Sequence, residues 1–251
     1  PRWLLSNNRI EEAKEVLNLF TTQDEQDLLV SGIENTNIPL SETIFIKKYR
    51  YPLILVFLIA SFNQLSGINA FLYYAPRIFE EAGLGSKTAL LSSIGIGIIN
   101  LIFTMLGVYL IDKLGRRILM IIGSIGYIAS LSLVALAFFL QWTGLAVPIF
   151  LFVFIASHAI GQGAVIWVFI SEIFPNHLRA SGQSFGSSVH WVLAAIIPSM
   201  IPILFSNYGV GNVFAFFALM MVLQLVFVLF MMPETKGITL EEMNQNLSKQ
   251  K

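Results

Sequence analysis

The chain has 251 residues, of which 56% are hydrophobic and 12% charged, with 15 Lys and Arg balancing 15 Asp and Glu. Soluble domains carry about 25% charged residues, so this composition, with a mean hydropathy of +0.75, excludes an ordinary soluble domain and describes a membrane protein. Near-zero net charge offers no basic field for nucleic acid, and the absence of cysteine excludes disulfides and thiolate metal sites.

Residues 1–50 are polar enough to form a cytoplasmic helical segment. Between Asn8 and Phe20, Ile10, Ala13, Val16, Leu17 and Phe20 recur at three- and four-residue spacings. That pattern predicts a short amphipathic helix, capped by Ser6 or Asn7, with Glu11 and Glu12 in its first turn. A second helix is expected from Gln23 to Glu34. A third, capped by Ser41, would lead through Ile44, Phe45 and Ile46. These helices are expected to pack against the membrane domain. The chain starts at Pro1 without a methionine or a visible signal peptide, as a piece of a longer protein does.

A helix needs about 20 apolar residues to cross a ~30 Å hydrocarbon core. The uncharged intervals supply six such spans, at about 52–74, 88–111, 118–140, 147–171, 184–205 and 210–232. Gln141, Trp142, Thr143 and Gly144 divide the third span from the fourth. Ser206, Asn207, Tyr208 and Gly209 divide the fifth from the sixth. Backbone amides in lipid must be satisfied within the segment, and the alternation of a barrel strand is absent. The expected fold class is therefore an all-α membrane protein, with a six-helix bundle over 51–233 and a tail over 234–251. Of the 15 Lys and Arg, all but Arg77 and Lys87 fall on one side of this topology, which puts both termini in the cytoplasm.

Span one reads FNQLSGINAFLYY from Phe62 to Tyr74. An unpartnered amide costs about 1 to 3 kcal/mol when buried, so Asn63, Gln64 and Asn69 must face another helix or a ligand. On a regular helix Gln64 and Asn69 would point about 140° apart. Ser66 and Gly67 between them lower the cost of a local unwinding that would bring both to one cavity. Packing and binding remain alternatives at this point. In span two Gly95, Gly97 and Gly107 permit close helix approach, while Asn100 shares a face with Thr104 and is a binding candidate. Span four carries Ser157, His158, Gly161, Gln162, Gly163 and Trp167, and span five carries Ser187, Ser188, His190 and Trp191. Histidine and tryptophan in mid-span suit a sugar, whose hydroxyls need hydrogen-bond partners and whose C–H faces stack on aromatic rings. Lone histidines also serve as helix-packing groups. Three scattered histidines make no metal site. No carboxylate falls inside a span to build a catalytic triad, so neither enzymatic chemistry nor a cofactor is expected.

The cytoplasmic corners are charged in both signs: Asp112, Arg116 and Arg117 after span two, Glu172 and Arg179 after span four, and Glu234 after span six. Topology explains the bases but not the acids. Opposite charges at three helix ends can pair across the bundle and separate when helices tilt, which makes a latch.

PRWL at the start, QLSGINAFLYY, DKLGRR, EIFPNHLR and PETKG together resemble the sugar porter family of the major facilitator superfamily, over essentially the whole chain. That family includes proton-linked sugar symporters and facilitative glucose transporters. The resemblance implies the C-terminal six-helix half of a twelve-span fold, preceded by the central cytoplasmic segment. The implied partners are a small-molecule sugar, the lipid bilayer and a missing N-terminal half, with proton coupling open. The membrane would be a plasma membrane or a bacterial inner membrane. The resemblance further implies that Gln64, Asn69 and Asn100 hydrogen-bond sugar hydroxyls, that Trp167 and Trp191 line the pocket, and that Tyr73 and Tyr74 close an outer gate. Asn63 stands where relatives carry a glutamine, and His190 where they carry an amide. GQGAVIW from Gly161 to Trp167 resembles a family motif rich in proline, and its loss of prolines predicts a straighter span four. Transport of polyols or another hydroxylated solute, and a non-transporting module that assembles with a separate half, are the alternative functions.

Overall fold

The computed structural model describes residues 4, 9–20, 43–142 and 144–238. They fall into two compact units, over Pro1–Glu42 and Thr43–Lys251. Among the described residues every regular element is helical.

In the first unit α1 spans Ile10–Leu17. It buries Ala13 and Leu17 against Leu4 and Ile10. Arg9 grips Glu12 with two exposed hydrogen bonds of 2.8 and 2.5 Å. The expected stripe is shorter than predicted, because Phe20 lies in the turn after the helix and is 80% exposed. The proposed caps Ser6 and Asn7, the helix at 23–34 and Ser41 lie outside the described residues.

The second unit opens differently from expectation. Ile44, Phe45 and Ile46 form a turn and a bend rather than a helix, followed by one 3-10 turn, Lys47–Tyr49. Span one is then two helices, α2 (Arg50–Leu65) and α3 (Ile68–Glu81), interrupted at Ser66 and Gly67. Span two is α4 (Ser86–Leu114) and span three is α5 (Arg116–Phe139). Span four comprises α6 (Ala146–His158), a π-turn (Ala159–Gly163) and α7 (Ala164–Glu172). Spans five and six are α8 (Arg179–Tyr208) and α9 (Val210–Phe230). All six are long and apolar enough to cross a bilayer. They overrun the uncharged intervals at several ends, as Lys47 and Arg179 do, because long basic side chains can keep their charge at the interface while their stems stay in lipid. The connections are short where turn residues were expected. Gln141 and Gly144 both have positive φ between α5 and α6, whereas Ser206 to Tyr208 stay helical and Gly209 alone breaks the chain before α9.

α5 is central, packing along α9 and α6, while α2 packs along α8. Buried Leu119, Leu131, Phe154 and Phe169 fill the interior. α4 and α8 are the most open, with only 17% and 22% of their apolar windows buried, against 61% for span one. Close approach depends on glycine. A Cβ on Gly161 would lie 2.9 Å from the Cα of Gly123, and one on Gly123 would lie 2.9 Å from the Cα of Gly161. Of the span-two glycines, Gly107 meets the Ala159 carbonyl and Gly95 the Phe152 ring, but nothing lies within 4 Å of Gly97.

Backbone cannot yield as a flexible side chain does, so Gly161→Ala should separate α5 from the π-turn and lower stability by about 1 to 3 kcal/mol. Gly97→Ala should change it by less than about 0.5 kcal/mol. Denaturant titration in detergent checks both; equal effects at the two positions would refute the close-approach argument.

Candidate functional site

The interruption of span one creates the site. Gly67 sits at φ +79°, a left-handed conformation that costs other residues about 1 to 2 kcal/mol. The Phe217 ring would lie 2.5 Å from any Cβ there. The Ser66 hydroxyl donates to the Asn63 carbonyl at 2.6 Å and accepts from the Ile68 amide at 3.3 Å, which holds the bend. Reorienting the helix at this point defeats the 140° divergence. Asn69 Nδ2 now donates to Gln64 Oε1 at 2.9 Å.

Gln64 Nε2 in turn donates to Asn63 Oδ1 at 3.0 Å and faces both ring nitrogens of His190 at 3.2 Å. Asn63, Gln64, Asn69 and His190 thus form one hydrogen-bonded row joining span one to α8. Gln64 is 1% exposed and Asn63 3% exposed, so neither amide relies on water. His190 stands between two indoles, with its ring centre 5.1 Å from that of Trp167 and 5.2 Å from that of Trp191. The Gln183 side chain donates to the Trp167 carbonyl at 2.8 Å and ties α7 to α8. Donors, acceptors and apolar ring faces are therefore contiguous, which is the surface a polyhydroxylated ligand requires.

Other candidates are placed differently. Asn100 is half-buried on α4 and makes no side-chain hydrogen bond among the described residues. Tyr73 is 66% exposed, while Tyr74 packs on the core. His158 belongs to packing in this chain, because its Nδ1 pairs with the hydroxyl of fully buried Tyr127. A cavity of 380 Å³ at the helix ends, lined by Glu81, Gln141, Trp142 and Tyr208 among others, shares no residue with the row. Among the described residues no group of His, Asp and Glu is arranged to hold a metal ion.

Sequence reasoning missed a second polar chain. Gln162 Nε2 donates to Gln224 Oε1, and Gln224 Nε2 donates to Ser124 Oγ at 2.8 Å. All three residues are fully buried. It joins the π-turn to α9 and α5. No proline stands in this part of span four, and the helix widens at Ala159–Gly163. Gly161 fits against Gly123 and Gln162 bonds across the bundle at the same turn. The available signal was Gln224, a lone long polar side chain in the second half of the most apolar span.

At the charged helix ends the side chains sort into three roles. Arg116 is the centre. It binds Glu172 through two hydrogen bonds, of 3.0 and 2.7 Å, and donates to Asp112 at 3.0 Å and to the Ile111 carbonyl at 3.1 Å. The Arg116 side chain is 9% exposed, so the pair with Glu172 is shielded from solvent. Thr235, not anticipated, donates its hydroxyl to Glu172 at 2.6 Å. Glu234 does not pair with a basic side chain as a latch acid. It caps α5 instead, accepting the backbone amides of Arg116 and Arg117 at 2.9 and 3.0 Å. A carboxylate there satisfies orphan amides and complements the helix dipole. Gly115, at φ +92°, leaves the room, since a Cβ would meet Glu234 Oε2 at 2.5 Å. Arg117 reaches the Val228 and Leu229 carbonyls at the end of α9 rather than an acid. Arg179 donates to Asn176 at 2.8 Å and stays apart from the Glu172 network.

The comparisons with known proteins agree on one family. The family model described as "Sugar (and other) transporter" matches residues 1–247. A probable metabolite transport protein, CsbC, of Bacillus subtilis is 34% identical over 99% of this chain and 56% of its own length. The arabinose-proton symporter of the same organism is 32% identical over 98% of this chain and 54% of its own length. The structure of the proton:xylose symporter XylE bound to 6-bromo-6-deoxy-D-glucose superposes with a TM-score of 0.79 at 30% identity, covering 98% of this chain and 54% of that one. The chain spans about half the length of the curated relatives it matches. This integral membrane chain belongs to the sugar porter family of the major facilitator superfamily.

Proposed function

We propose that this chain is the C-terminal six-helix half of a sugar transporter working by alternating access. The observation that carries the reading is the Gly67 break, which brings Gln64 and Asn69 together beside His190 and two indoles. A regular helix would have satisfied lipid and packing alone. The relatives' sugars, arabinose and xylose, are small and polyhydroxylated, and such ligands are held by a few amide bonds and ring stacking. Micromolar to millimolar affinity corresponds to only about 4 to 8 kcal/mol, within reach of this row. Asn100 on α4 completes the pocket once sugar is bound, Trp167 and Trp191 stack on it, and Tyr73 and Tyr74 close its outer end. Both termini face the cytoplasm, and a six-helix partner half covers the open faces of α4 and α8.

The Arg116, Glu172 and Asp112 network is the cytoplasmic latch. It joins the ends of α4 and α7 to the start of α5, so a relative tilt of these helices must break a shielded ion pair. Arg117 and Glu234 act beside it by fixing backbone ends, and Arg179 by anchoring the start of α8.

In the full-length protein Gln64→Ala and Asn69→Ala should each weaken sugar binding by about 1 to 3 kcal/mol, roughly five- to 150-fold. Equilibrium binding of D-glucose, D-xylose and a polyol panel checks this; undiminished affinity in both variants would reject the pocket.

Glu172→Gln should leave pocket affinity intact while shifting the protein toward the state open to the cytoplasm, by roughly fivefold or more. Spin-label distances across the cytoplasmic face report the shift, and identical distance distributions in variant and wild type would count against the latch.

A further inference from the structure

The hydrogen bonds of the row have a direction, and one group sets it. Gln64 gives both of its amide hydrogens away, one to Asn63 Oδ1 at 3.0 Å and one toward His190, whose ring nitrogens each lie 3.2 Å away. It accepts through Oε1 from Asn69 at 2.9 Å. Gln64 thus turns its nitrogen rather than its oxygen toward the ring, the orientation that suits a neutral imidazole and not an imidazolium. Gln64 is 1% exposed, so water cannot stand in for a lost partner without cost.

We propose that His190 sets the hydrogen-bond polarity of the Gln64 and Asn69 row, and so decides whether the pocket offers a sugar hydroxyl an acceptor or a donor. The inference rests on the sugar-binding reading above.

An imidazolium carries two N–H donors and no acceptor. Opposite an amide N–H it forces the Gln64 carboxamide to turn over, bringing Oε1 to the ring. Nε2 then faces Asn69, which turns in its place to present Oδ1, and Asn63 turns to donate. Amide oxygen and nitrogen exchange places at nearly constant shape, so the row keeps its bonds. What changes is the atom left for a ligand. With a neutral ring Asn69 Oδ1 is uncommitted; with a charged ring Asn69 Nδ2 is.

Trp167 and Trp191 meet His190 in edge contacts, with ring centres 5.1 and 5.2 Å away. On the helices packed against α8, the charged groups sit toward helix ends: Arg50 on α2, Arg77, Glu80 and Glu81 on α3, and Glu172 on α7. Tyr51 lies on α2, Tyr73 and Tyr74 on α3, and α9 carries no titratable side chain. His158, the other histidine within a span, pairs with the Tyr127 hydroxyl on α5. Two histidines thus stand within spans, and the test has to tell them apart.

Equilibrium binding of D-glucose, D-xylose and their monodeoxyfluoro analogues to the full-length protein at pH about 5 and about 8 makes that test. Fluorine cannot donate, so an analogue loses affinity where the row offers an acceptor and retains it where the row offers a donor. The ratio of analogue to parent Kd is expected to change by about tenfold between the two pH values for at least one ring position. In His190→Gln the ratio is expected to stay constant, and in His158→Gln to change as in the wild type; should His190→Gln not fold, the His158→Gln result decides. A constant wild-type ratio, with the parent sugars bound, overturns the polarity role and leaves the sugar site standing. A ratio that still changes in His190→Gln and becomes constant in His158→Gln also overturns it, assigning the titration to His158. Failure of every parent sugar to bind at either pH overturns both this role and the sugar reading.

Discussion

A carboxamide inside a bilayer has no water to turn to, and each polar group must therefore be bonded by another part of the protein. The bundle's irregular backbone is arranged around that requirement. Span one breaks at Gly67, and the break lets Asn69 reach Gln64, which also meets Asn63 and His190. Span four widens into a π-turn, and there Gln162 reaches Gln224 and through it Ser124. Irregular backbone at membrane depth is tolerated where it is covered by protein; Phe217 covers Gly67 and the Gly123 backbone covers Gly161.

The two polar chains differ in what they leave over. The Gln162 chain is closed to solvent, with all three side chains buried and Gln162 Oε1 left without a hydrogen-bond partner, and it joins three helices through the middle of the bundle. The Gln64 row keeps Asn69 and His190 half-buried beside indoles that are partly exposed, Trp191 at 63%. Similar amide chemistry thus joins helices out of reach of solvent in one place and leaves polar atoms partly accessible in the other, and exposure is what separates the two. The charged helix ends divide likewise. Arg116 and Glu172 face each other with little solvent between them, whereas Glu234 spends its carboxylate on backbone amides that α5 would otherwise leave unpaired.

Much of this was legible in the chain itself. Six uncharged intervals and their turn residues predicted six spans, because length and hydropathy are properties of a segment alone. Ser66 and Gly67 between two amides predicted the break, since the 140° divergence on a regular helix has a simple local remedy. The partners were not legible. Gln224 is 62 residues from Gln162, and Glu234 is 118 residues from the amide it caps; no periodicity connects them. The absence of prolines gave no sign of the π-turn, where Gly161 fits against Gly123 and Gln162 bonds across the bundle.

What the sequence by itself determined is therefore the solvent, the helices and the place where one of them must bend, all consequences of hydrophobicity and of glycine's freedom at positive φ. Tertiary structure decided which polar atoms meet. Of the six charged residues at the corners, it made Arg116 an ion-pair centre with Glu172 and Asp112, Glu234 a helix cap, and Arg117 and Arg179 local anchors. The contacts of Arg116 with Glu172, of Glu234 with α5 and of Arg117 with α9 follow from packing between remote segments, and distance is what a one-dimensional pattern does not contain.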